Sequence, residues 1–74
     1  MEDKIINLTE LELPMQMQKM QELLKNTEKN FKYEIITQHE IIMKFIVPLA
    51  AGAGMKCAFA PPVDNLWKIS ITNN

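Results

Sequence analysis

The sequence predicts an α/β domain of the α+β two-layer kind, with two helices covering one face of a four-stranded sheet. Three observations predict it. Residues 13–24 and 41–53 each carry apolar side chains at helical spacing. Four shorter runs are rich in β-branched and aromatic residues, and the last alternates cleanly with a period of two. These segments come in the order β-α-β-α-β-β. Strand–helix–strand units cross right-handed, so both helices fall on the same side of the sheet.

The first strand is expected over residues 4–8, where Ile5 and Ile6 are β-branched and Asn7 interrupts the apolar run. Residues 9–13 form a connection. The first helix is expected from Pro14 to about Asn26. Proline suits a first helical position, because the N–H it lacks would go unpaired there and its φ is already near helical. Leu13, Met17, Met20, Leu24 and Thr27 follow the i, i+4, i+7, i+11 rhythm of a buried face, with Leu23 beside them. Gln16, Gln18, Lys19, Gln21, Glu22 and Lys25 supply the expected wet face. Leu13 then stands at the N-cap, where leucine offers no oxygen to the unpaired amides. Polar turn formers over residues 26–30 end the helix.

A second strand is expected over residues 31–37, with Phe31, Tyr33 and Ile35 alternating. Ile42, Phe45, Ile46, Leu49 and Ala53 then mark a second helix. Pro48 falls inside it. An interior proline costs about 3 kcal/mol and kinks a helix, unless the helix proper starts near Ile46. Gly52 and Gly54 suit its C-terminus. Residues 55–60 read as a third strand, 61–65 as a tight connection and 66–72 as a fourth strand. The buried set is expected to be Ile5, Met17, Met20, Leu24, Ile35, Phe45, Ile46, Leu49, Trp67, Ile69 and Ile71.

Seventy-four residues make one domain, spanning 1–74, which can bury roughly 60% of its unfolded surface. A hydrophobic share of 47% with 23% charge is that of an ordinary globular chain. Net charge is −1, and all eight basic residues are lysines. That balance speaks against nucleic acid, which calls for a basic stripe. One cysteine excludes an internal disulfide and favours the cytoplasm. The opening Met-Glu-Asp-Lys lacks the basic, then apolar, pattern of a signal peptide. The apolar run of residues 41–55 is broken by Lys44 and falls short of the roughly 20 residues that span a bilayer.

The stretch from Leu11 to Leu24 resembles the motif of the TusA/SirA-like sulfur-carrier family. That family's first helix opens with Cys-Pro-x-Pro after a short strand. Leu11 matches the leucine before the motif, Pro14 its first proline, and Lys19 a lysine common one turn later. Leu13 stands where the family has its reactive cysteine, and Gln16 where it has its second proline. The resemblance implies a mixed sheet in the order 1-2-4-3 with the fourth strand antiparallel to the rest. It also implies a lost chemistry. A cysteine at a helix start has its thiolate stabilised by the dipole and the free amides, and can hold a terminal sulfur as a persulfide. Leucine can do neither.

Other candidates are weaker. Cys57 is the only thiol, and Lys56 points to the opposite face of its strand, so it does not lower the thiol pKa by contact. Met15, Met17 and Met20 have the composition of a Cu(I) site, but Met15 and Met17 point about 200° apart on a helix. His39 has no Cys, His, Asp or Glu at ligand spacing, and no Ser/His/Asp set or carboxylate pair emerges. No cofactor and no metal are expected. The reading is a non-catalytic binding module of a sulfur-relay or redox system, docking a protein partner through Pro14, Met15, Gln16, Gln18 and Lys19. The alternatives are a sulfur carrier or redox protein using Cys57, and an RNA-binding module, since the fold resembles the C-terminal domain of a bacterial translation initiation factor.

Overall fold

The structure is a computed structural model that describes residues 2–25 and 31–73. The expected helix end and turn at residues 26–30, Thr27 included, lie outside them. Six elements follow in order. They are β1 (Glu2–Asn7), α1 (Leu13–Leu24), β2 (Phe31–Thr37), α2 (Glu40–Gly52), β3 (Lys56–Val63) and β4 (Leu66–Asn73). The sheet order is β1-β2-β4-β3. β1 pairs parallel with β2, and β4 runs antiparallel to both β2 and β3. Fold class, element order and sheet order are therefore those expected.

Paired strand residues share a face, so register decides what is buried. Ile6 pairs with Ile35, Ile35 with Ile69, and Tyr33 with Ile71. These point toward the helices. Ile35, Ile69 and Ile71 are fully buried, and Phe31 stacks on Tyr33 with ring centroids 4.3 Å apart. From the helices, Met20, Leu24, Ile42, Met43, Ile46 and Ala50 close the core. Met17, Phe45 and Trp67 are half-buried at its rim.

Two expected core residues are corrected. Ile5 pairs with Glu34 on the open face of the sheet and is 72% exposed. Its neighbours Ile6 and Leu8 take the inward positions, because the period of two gives adjacent isoleucines opposite faces. Leu49 lies on a flank of α2 and is 38% exposed.

Boundaries differ for local reasons. β1 begins two residues earlier than expected. β3 runs on through Pro61 and Pro62, which an edge strand tolerates because prolines have no N–H to give to a ladder. The pairing slips between Ala60 and Val63 at those prolines. Asp64 and Asn65 then close a two-residue hairpin with φ of 54° and 62°. Positive φ at both positions is the type I′ geometry, and Asp and Asn accept it more readily than other non-glycine residues. α2 starts at Glu40, not near Ile46, and Pro48 sits inside it. The Lys44 carbonyl thus lacks its usual helical donor. The helix ends in a Schellman motif. Gly54 takes φ 77°, its amide donates to the Ala51 carbonyl, and Met55 donates to Ala50 at 2.9 Å. No described helix is long and apolar enough to cross a membrane.

Candidate docking site at the start of the first helix

α1 starts one residue earlier than the proline suggests. The Gln16 amide donates to the Glu12 carbonyl at 2.9 Å, which makes Glu12 the N-cap and Leu13 the first helical residue. Glu12 makes no side-chain cap, so the amides of Leu13 and Met15 have no intrahelical partner. Leu13 is half-buried against the core. The position matched to the family's cysteine therefore lies within the first turn, tucked inward.

Gln16 is the main departure from expectation. It is fully buried and does not lie on the wet face. Its side-chain oxygen accepts from the Thr37 hydroxyl at 2.6 Å. Its nitrogen donates to the Leu11 carbonyl at 2.9 Å and to the Gln38 side-chain oxygen at 3.1 Å. Gln38 in turn donates to the Thr9 carbonyl, and the His39 amide donates to the Thr37 hydroxyl. A buried amide without such partners would be costly, so the network explains how a glutamine survives here. It ties the β1–α1 connection, the first turn of α1, the end of β2 and the start of α2 into one latch. Position 16 is four residues before Met20 and three after Leu13, on the apolar face, but only its distant partners Thr37 and Gln38 make a buried glutamine tenable there.

The remaining expected contact residues divide. Met15, Gln18 and Lys19 line one shallow groove of about 270 Å³, together with Leu11 and Glu22. Met15 is 50% exposed, and Leu11 is also open to solvent. Pro14 is exposed but is not among the residues lining the groove. Leu11 and Glu22 join the expected residues: Glu22 shares one helical stripe with Met15 and Gln18, and Leu11 comes from the connection before the helix. Because Gln16 holds the Leu11 carbonyl, the groove has a fixed wall.

Cys57 lies on edge strand β3, paired with Ile71 on the core side of the sheet. It is half-buried, and that burial pushes its thiol pKa up. Lys56 pairs with Thr72 on the open face, as its alternation with Cys57 requires. His39 is the N-cap of α2 and half-buried. Among the described residues, no three His, Cys, Asp or Glu side chains are placed to hold a metal.

Sequence comparison matches no protein-family model and no curated protein. Structural comparison matches a SirA-like protein from Desulfitobacterium hafniense, with a TM-score of 0.74 over 92% of this chain and 93% of that one. The fold is SirA-like. Identity between the two chains is 13%, so the likeness is one of architecture. On that SirA-like frame, Leu13 opens α1 and Gln16 is built into the interior.

Proposed function

We propose that this chain is a non-catalytic, cytoplasmic binding module of a sulfur-relay or redox system. It docks a protein partner through the groove of Leu11, Met15, Gln18, Lys19 and Glu22, with Pro14 at its edge. The observation that carries the reading is the exposed apolar pair Leu11 and Met15 beside a helix start that has no thiol. Methionine adapts to a partner's surface, and Lys19 and Glu22 give the rim one charge of each sign. The latch around Gln16 holds this groove in shape, which lowers the ordering cost of binding. Cys57 fits sulfur carriage poorly, because its thiolate is disfavoured by burial.

The test uses a persulfide-loaded cysteine desulfurase and intact mass. Transfer would move the terminal sulfur to an acceptor thiol and return the desulfurase cysteine to its thiol form. Wild-type protein should gain no sulfur. Leu13→Cys should gain one atom, since the amides of Leu13 and Met15, which have no intrahelical partner, stabilise a thiolate there more than the half-burial of the position disfavours it. In parallel, titration against the purified desulfurase should show wild-type binding that Met15→Glu weakens at least tenfold. Sulfur accepted on wild-type Cys57 would overturn the non-catalytic reading.

A further inference from the structure

Sulfur is spread unevenly through this fold. The chain has six methionines, and five of them lie in the described residues. Met20, Met43 and Met55 are buried, and Met17 is half-buried against the core. Met15 is 50% exposed. Helical geometry separates them. Met15 points about 200° away from Met17, and the inward arc of α1 is taken by Gln16, Met20 and Leu24. A thioether is oxidised when its lone pair attacks a peroxide, so the sulfur must meet the oxidant in the open. Buried sulfurs are shielded until the fold opens. Cys57 is half-buried on β3, and the burial that pushes its thiol pKa up leaves little of the thiolate that peroxides attack.

We propose that Met15 is an oxidation site that switches the groove beside α1, with hydrogen peroxide as its oxidant. In that step the thioether sulfur takes one oxygen from the peroxide. The S–O bond forms as the O–O bond breaks, sulfur gives up two electrons, and the second peroxide oxygen leaves as water. The product is methionine sulfoxide, a polar group with a hydrogen-bond-accepting oxygen. Gln18 and Lys19, three and four residues on, line the same groove and carry N–H donors from which that oxygen can accept. The apolar surface that Met15 shares with Leu11 then becomes a polar one. The fold is spared, because the bonds of Gln16 to Leu11, Thr37 and Gln38 use no atom of Met15. The exposure that admits the oxidant also admits repair. A thiol-dependent sulfoxide reductase removes the oxygen as water while two thiols close to a disulfide. The effect on docking rests on the function proposed above, and the oxidation site itself does not.

Native protein treated with dilute hydrogen peroxide at neutral pH and mapped by peptide mass should carry one added oxygen on Met15. Met15 should react about tenfold faster than Met20, Met43 and Met55, since exposure sets susceptibility. Amide NMR shifts of the product should move at Leu11, Gln18, Lys19 and Glu22 and stay fixed in the core strands. The two epimer-specific methionine sulfoxide reductases, supplied with a thiol, should restore the spectrum. Oxidation of Met20 as fast as Met15, or shifts spread through the core strands, would overturn the proposal. Titration against the purified desulfurase reads the switch. Wild-type affinity should fall about tenfold on treatment and recover with the reductases. Cys57→Ser should fall by the same factor, and Met15→Leu, whatever its own affinity, should not change on treatment. Binding that is unmoved by oxidation of Met15, a response that vanishes in Cys57→Ser, or one that persists in Met15→Leu would overturn the switch. Untreated wild type that does not bind the desulfurase would defeat the docking reading alone, while the mapping and the spectra would still decide the oxidation site.

Discussion

At the scale of single residues, Gln16 does the most. Two of its three side-chain hydrogen bonds reach residues more than twenty positions away in the chain, and the third holds the Leu11 carbonyl. Gln16→Leu leaves the Thr37 hydroxyl without its acceptor and the Leu11 carbonyl without its donor. The expected loss is about 1–3 kcal/mol in urea denaturation. Thr37→Val should cost a similar amount. The double variant should lose less than the sum, with a coupling of about 0.5–3 kcal/mol, because both ends of the shortest bond are then gone together. Additive losses would mean that the two residues act separately. Cys57 supplies the second prediction at this scale. Burial raises its pKa, so native protein should alkylate slowly at neutral pH and unfolded protein quickly. The sign for stability follows. The folded state holds the thiol proton more tightly than the unfolded state, so stability falls as pH rises past the ordinary thiol value. Fast native labelling would contradict the burial.

At the scale of elements, the strands and helices were legible and their ends were not. Phe31–Thr37 was read without error, because its alternation and its flanking polar residues agree. The hairpin between β3 and β4 was harder. Prolines usually punctuate, and here Pro61 and Pro62 continue an edge strand whose outer side needs no donors. The turn itself is Asp64-Asn65, without the glycine that most often announces a type I′ hairpin. Its φ values make a specific demand. Asn65→Val places a β-branched residue at φ 62° and should cost about 1–2 kcal/mol in thermal unfolding, while Asn65→Gly should cost nothing. Equal melting temperatures for the two variants would contradict the turn geometry. At the candidate site, Met15, Gln18 and Lys19 were readable as an exposed stripe. Gln16 was not, because a polar side chain reads as wet until its partners are known. Those partners, Thr37 and Gln38, come from a part of the chain that local periodicity cannot see.

At the scale of the whole molecule, one layer of helices closes one face of the sheet and leaves the other open. The same residue type therefore has two energetic meanings. Leu24 is buried between the layers, and Leu24→Ala should cost roughly 2–5 kcal/mol. Ile5 is on the open face, and Ile5→Ala should change stability by no more than about 0.5 kcal/mol. Denaturation of the two variants side by side checks the layer assignment directly. Comparable losses would mean that the open face is covered. Register also explains why composition could not separate these positions: Ile5 and Ile6 are identical neighbours, and the partner strand alone decides which one turns inward.

The latch also makes positions 13 and 16 unequal in what they can accept. Position 13 sits in the first turn, where the amides of Leu13 and Met15 have no intrahelical partner, so a single replacement would place a cysteine there. Position 16 could not take proline so simply. Proline would remove the amide that bonds the Glu12 carbonyl, together with every bond that the glutamine side chain makes. Thr37, Gln38 and Leu11 would all have to find new partners at once. Of the two positions, one is an open door and the other a locked one.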